Sequence, residues 1–206
     1  MTRERRRVVI TGMGAVTATG LGVDSLWTAA RDGRSGVSHF QLDRYPKQRI
    51  TRAAHVKDFP AEALLGATAV KTCDRFAQFA LVASREALAQ AGYDEDARLG
   101  HRCGAIIGSG IGGSETTDDG MYGFYVAGSR PDLLAIAKVM PNAAASQISM
   151  RHGVNGPSLA VSSACASGTQ AVGYGLHMIR SGLIDSCLVG GSEALLTPAT
   201  FRAWEV

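Results

Sequence analysis

Three stretches constrain the fold more than any other feature of this chain: "RCGAIIGSGIGG", "SLAVSSACA" and "IDSCLVGGSEA". Each is apolar at consecutive positions, too short for a helix, and ends in glycine or other small residues. A strand with apolar side chains on both faces must be covered on both faces, which points to a mostly parallel sheet between helices. The intervening segments fit that reading. "DRFAQFALVASREALAQAGY" repeats Phe76, Phe79, Ala80, Ala83, Ala87 and Ala91 at helical spacing, with Asp74 placed to cap its start and Gly92 to end it. "PNAAASQISMRHG" reads as a helix with Pro141 near its start and Gly153 as its stop, and "SGTQAVGYGLHMIRSG" as another. "RRVVITGMGAV" reads as a further buried strand, the first of the sheet. "VDSLWTAARDG" reads as a short helix with Leu26, Ala29 and Ala30 as its apolar stripe and Gly33 closing it. Residues 34–66, with Pro46 and Pro60, show no sustained period and predict an irregular surface excursion. The fold class is α/β, with helices on both faces of the sheet.

Bulk properties narrow the function. At 206 residues, with 46% hydrophobic and 19% charged residues, the chain suits a packed domain and excludes a disordered one. A net charge of +3 is too small and too scattered to argue for nucleic acid. The apolar run "VVI" in "MTRERRRVVITG" is far shorter than a signal-peptide core, and no stretch approaches a membrane span. A soluble, cytoplasmic protein is expected. Cys73, Cys103, Cys165 and Cys187 show no C-x-x-C spacing and no histidine at zinc-site distance, so free thiols and no metal are expected. The closing "TPATFRAWEV" runs in a helical pattern without a stop signal, as though the chain were cut there.

Cys165 stands where the apolar run "SLAVSSAC" meets a helical pattern, among Ser, Ala, Ala and Ser. A sharp strand-to-helix turn is how a nucleophile is presented, and such a turn needs small neighbours. Here Ala164, Ala166, Ser167 and Gly168 supply them. A thiol at a helix N-terminus faces the positive end of the dipole, and free N–H groups there can hold an oxyanion. The alternative is a small buried hydrophobe, a common fate for cysteine. Spacing alone does not decide between them. Cys187, amid strand residues, belongs to the core. The base that a nucleophilic cysteine needs is harder to find. His177 lies twelve residues along the same helix, about 18 Å away. His152 precedes a helix-ending glycine, a position suited to a C-terminal charge. His39, His55 and His101 carry no signature.

"GSGIGG" matches G-x-G-x-x-G through Gly108, Gly110 and Gly113, which raises a dinucleotide site and an NAD(P)-dependent oxidoreductase. The polar, glycine-broken "SETTDDGMYG" that follows argues against it, as does the lack of an acidic strand end about 20 residues on. A close-approach wall beside a site fits the loop better.

These residues, taken together, resemble a known family. "VSSACASGTQAVGYG" resembles the active-site cysteine motif of the β-ketoacyl-acyl carrier protein synthases, most closely the elongating I/II type. "RRVVITGMGAVTATG", "CDRFAQFAL", "GSGIGG", "HGVNGPS" and "VGGSEA" agree in order and spacing, so the likeness runs over essentially the whole chain. The resemblance implies a thiolase-like fold of two similar α/β halves, of which residues 1–206 would be the N-terminal one. It implies a homodimer without cofactor whose partner is acyl carrier protein in acyl and malonyl forms. Cys165 would accept the acyl group, and Gly110 and Ile111 would line the acyl pocket, with Ile111 gating it. Two catalytic histidines and a second oxyanion donor would come from the other half. Lys71, Arg130 and Arg202 are the candidate docking cations for an acidic carrier protein. "VSSACASG" departs from the "DTACSSS" of modular polyketide ketosynthases, which favours a discrete synthase; a non-catalytic dimer partner is the remaining alternative.

Overall fold

The computed structural model describes residues 6–205. In chain order the elements are β1 (Val16–Thr17), β2 (Gly20–Leu21), α1 (Val23–Arg31), β3 (Val37–His39), β4 (Arg52–Ala54), α2 (Ala61–Leu65), α3 (Ala67–Thr72) and α4 (Arg75–Gln90). There follow β5 (Cys103–Gly108), α5 (Ser114–Tyr125), α6 (Ala135–Val139), α7 (Ala143–His152), β6 (Ser158–Val161), α8 (Ser167–Ser181), β7 (Ser186–Gly191) and α9 (Pro198–Trp204).

The central sheet is parallel, in the order β6-β5-β7. All six residues of β5 are buried, as a middle strand covered on both sides requires. Alternation along β5 divides its side chains between two layers. Cys103, Ala105 and Ile107 join Phe76, Ala77, Ala80 and Leu81 of α4 and Ala143, Ala144, Ala145 and Ile148 of α7 in one core. On the other face Ile106 is buried, and at the strand ends α8 comes so close that no side chain fits. A Cβ on Gly108 would stand 2.3 Å from the carbonyl carbon of Ser167, and one on Gly191 would stand 3.0 Å from the Cα of Gly168.

The helices begin and end where the sequence says they should. Asp74 caps α4, its Oδ1 accepting from the Phe76 N–H at 3.2 Å, while its Oδ2 accepts from the Thr116 N–H at 2.8 Å and so joins α4 to α5. Phe76, fully buried in the next turn, contributes roughly 2 kcal/mol through burial. Gly153 ends α7 at φ 58°. Thr197 forms a reciprocal capping box with Thr200 at the start of α9, and Glu205 is its C-cap.

Four expectations need correction. The first run, "RRVVITGMGAV", stays out of the central sheet: Val9 and Ile10 are 63% and 79% exposed, and of its residues only Val16 pairs, with Leu21 in the short β1-β2 ladder. Side chains of α4 take its donors instead. Gln90 Oε1 accepts from the Met13 N–H and Glu86 from the N–H groups of Ala15 and Val23. Among the described residues the sheet thus has three strands, and β7 pairs only with β5. Residues 34–66 are not irregular throughout: β3 and β4 form an antiparallel hairpin, and α2 follows. One side chain organises the intervening loop. The amide of Gln48 donates to the carbonyls of Phe40 and Ile50 and accepts from the Leu42 N–H. In α1 only Ala29 of the expected stripe is buried, because the helix lies at the margin of the core. His152 is not an exposed terminal charge. It is buried with Nε2 3.5 Å from Ser84 Oγ, and burial, then Arg151 and Arg98, depress its pKa.

Two outcomes follow from this packing. Gly108→Ala should cost about 2 kcal/mol or more of unfolding free energy in urea titrations, because its methyl meets rigid backbone. The His152 imidazole binds its proton more weakly folded than unfolded, so stability should fall as pH drops through about 6.5. The urea midpoint should therefore be lower at pH 5.5 than at pH 7.5, and His152→Gln should narrow that difference.

Candidate active site

Val161, Gly108 and Gly191 lie side by side in register at the carboxyl edge of the sheet. In open α/β sheets this is the edge at which ligands bind. The segments leaving these three residues carry Cys165, the Gly110–Ile111 loop and Glu193 within a few positions. Register therefore gathers at one edge what the sequence spreads over 84 residues.

After β6 the chain turns sharply into α8, and Cys165 occupies the turn. Ala164 holds φ at +51°, a left-handed conformation that a non-glycine residue adopts only at a cost. Ser167 fastens the turn: its Oγ donates to the Ala164 carbonyl at 2.7 Å and accepts from the Ser163 N–H at 2.9 Å. The Ala166 and Ser167 N–H groups close back onto the carbonyls of Ser163 and Ala164. Ala164, Cys165 and Ala166 are all exposed, so the small neighbours leave the sulfur open to approach. The N-terminus of α8 bears no side-chain cap. Among the described residues Cys165 is exposed rather than buried.

The other thiols are placed differently. Cys73 and Cys103 are buried, and desolvation raises both pKa values. Burial, with a smaller contribution from Cys103, pushes the Cys187 thiol up to about 12. Among the described residues no histidine is hydrogen-bonded to Cys165. His55 packs on the Phe40 ring, His152 is buried behind α4, and His177 is exposed along α8.

Gly110 and Ile111 lie in the loop after β5, and the structure brings this loop to the cysteine turn. Ser162 Oγ donates to the Gly110 carbonyl at 3.3 Å. Ile111 is 55% exposed and projects to open surface rather than into an enclosed pocket. Cavities of about 450, 640 and 500 Å³ occur elsewhere, and neither Cys165 nor Ile111 lines them. Contrary to the sequence reading, a helix, α5, does follow the loop directly. The dinucleotide reading still meets an obstacle: a Glu193 carboxylate already accepts from the Gly110 N–H, where a pyrophosphate would need that donor.

The candidate docking cations do not form one cluster. Lys71, at the end of α3, acts electrostatically on Asp132, and Arg130 lines the same 640 Å³ cavity as Asp132. The Leu134 N–H first, then Lys138, hold the Asp132 carboxyl below its ordinary pKa. Arg202 lies on α9, 3.9 Å from Glu205. Sequence reasoning missed Glu193, Ser109 and Ser162. "VGGSEA" gives no sign that its carboxylate reaches a loop on another strand; only strand register supplies that.

A parallel sheet between helices, with an exposed thiol at a strained strand-to-helix turn on its carboxyl edge, defines the class as α/β. Residues 5–206 match the family described as "Beta-ketoacyl synthase, N-terminal domain", and the chain belongs to that family. It is 37% identical over 201 residues to nodulation protein E of Rhizobium sp. (strain N33), covering 97% of this chain and 50% of the relative. It is 34% identical over 196 residues to 3-oxoacyl-[acyl-carrier-protein] synthase 2 of Staphylococcus aureus (strain COL), covering 94% and 47%. A solved structure, "The ishigamide ketosynthase/chain length factor", superposes with a TM-score of 0.87 at 29% identity, over 98% of this chain and 50% of that one. The fold is thiolase-like. The chain spans about half the length of the curated relatives it matches.

Limited alkylation with iodoacetamide should label Cys165 at least about tenfold faster than Cys73, Cys103 or Cys187, read by peptide mass mapping. Equal labelling of all four under native conditions would contradict the placement described here.

Proposed function

We propose that this chain is the N-terminal half of a discrete condensing enzyme of fatty-acid or related polyketide synthesis. The Cys165 thiolate attacks the thioester carbonyl of an acyl-acyl carrier protein and expels the carrier thiol, leaving the acyl group on the cysteine. A malonyl-acyl carrier protein then loses carbon dioxide, and the resulting carbanion attacks the Cys165 thioester. The cysteine leaves as thiolate, and the product is a β-ketoacyl carrier two carbons longer. The carrying observation is the exposure of Cys165 in its strained turn, within a chain whose family is that of the β-ketoacyl synthases.

The reading assigns decarboxylation to two histidines of the remaining half, since none of the described histidines bonds Cys165. It takes Gly110 and Ile111 as the wall and gate of the acyl pocket, and Lys71, Arg130 and Arg202 as carrier-protein contacts. A homodimer is part of the reading. Tyr125, Leu133 and Ile136 are 79%, 99% and 74% exposed, which supports burial of this region against further protein. Among the described residues no helix is long and apolar enough to cross a membrane, and a cytoplasmic enzyme remains part of the proposal. The presence of Cys165 argues against a non-catalytic partner.

Incubation of the full-length protein with acyl-acyl carrier protein should add one acyl mass to the Cys165 peptide. Cys165→Ala should remove the adduct and lower chain extension by at least about 1000-fold. Absence of the adduct in an active preparation would reject the assignment. Charge reversal at Lys71, Arg130 and Arg202 together should raise KM for carrier-linked donor about tenfold while sparing a small thioester donor.

A further inference from the structure

The loop that carries Ile111 is tied down on every side, and the ties come from the two strands flanking β5. Glu193, two residues beyond β7, accepts from Ser109 Oγ at 3.1 Å through Oε1 and from the Gly110 N–H at 2.5 Å through Oε2. Ser162, one residue beyond β6, donates to the Gly110 carbonyl at 3.3 Å. Both backbone groups of Gly110 are therefore held by side chains, one from each neighbouring strand. Ser109 Oγ, itself 2% exposed, accepts in turn from the Gly112 N–H at 3.0 Å, and the Gly113 N–H donates to the Val139 carbonyl. The one large side chain in this anchored stretch is Ile111, and it stands free.

We infer that Glu193 is a positioning residue that sets where Ile111 stands, and through it which acyl chains the Cys165 site accepts. The inference rests on the condensing-enzyme reading, in which Ile111 faces the acyl group. A carboxylate that accepts two bonds at once is a charge-assisted, two-point clamp with little freedom to tilt. Ser162 is three residues before Cys165, so the turn bearing the nucleophile and the loop bearing Ile111 are tied through the same glycine. Loss of the clamp leaves Ser109 Oγ and the Gly110 N–H to find water, and the loop and its isoleucine move with them. A displaced gate meets long and short acyl chains differently, so the change falls on their relative kcat/KM.

The test compares Glu193→Ala, which removes both acceptors, with Glu193→Gln, whose side-chain oxygen still accepts from Gly110 and whose amide can donate to Ser109 Oγ. Ser109→Ala, which removes the ties to Glu193 and to the Gly112 N–H at a buried position, is the third variant. In the full-length protein, kcat/KM is measured for a short and a long acyl-acyl carrier protein, and Cys165 acylation is followed by mass. Glu193→Ala should change the long-to-short ratio about tenfold, Ser109→Ala should change it in the same direction, and Glu193→Gln should stay within twofold of the parent. Equal loss toward both donors in Glu193→Ala and Ser109→Ala, or an unchanged ratio, would overturn the clamp. If Glu193→Ala fails to fold, Ser109→Ala decides on the same ratio. A parent protein that takes no acyl group on Cys165 would instead overturn the condensing-enzyme reading, so the two failures are distinguishable.

Discussion

The structure depends on a place where side chains are missing. Gly108 at the end of β5, Gly168 in the first turn of α8 and Gly191 at the end of β7 let three backbone segments meet without intervening carbon. Because α8 sits that close to the sheet, the turn from β6 into α8 is short. A short turn forces Ala164 into the left-handed region and leaves Cys165 at the outside of the bend. Any side chain at the junction would push the helix away, relax the turn and withdraw the sulfur from the loops around it.

That junction also explains the division between the two faces of the sheet. Toward α4 and α7 the packing is conventional, with Phe76, Ile107 and Ile148 filling space between layers. Toward α8 the contact at the strand ends is backbone to backbone. The alternation of β5 thus gives one face to side-chain packing against α4 and α7 and the other, at its end, to the close backbone approach that sets the cysteine turn.

Much of this was legible in the sequence. β5, β6 and β7 announced themselves by being apolar on both faces, and α4 by its period and by Asp74. What was not legible depends on partners far away in the chain. "RRVVITGMGAV" has the composition of a buried strand, but Glu86 and Gln90 of α4 take its donors and Ile10 faces outward. The 34–66 region has no period because its loop is organised by the amide of Gln48 rather than by alternating side chains. At the site, the cysteine turn could be read locally from small residues, whereas Glu193 gains meaning only once Gly191 is known to lie beside Gly108.

The ion pair of Arg6 with Asp185, which Arg102 also grips, bears on how the chain is made. It joins residues 179 positions apart, and β5 cannot complete its ladder until β7 has left the ribosome. Met13 and Ala15 likewise precede by some seventy residues the α4 side chains, Gln90 and Glu86, that take their N–H groups. High sequence separation of this kind slows folding, because loop closure comes before the contacts that compensate for it.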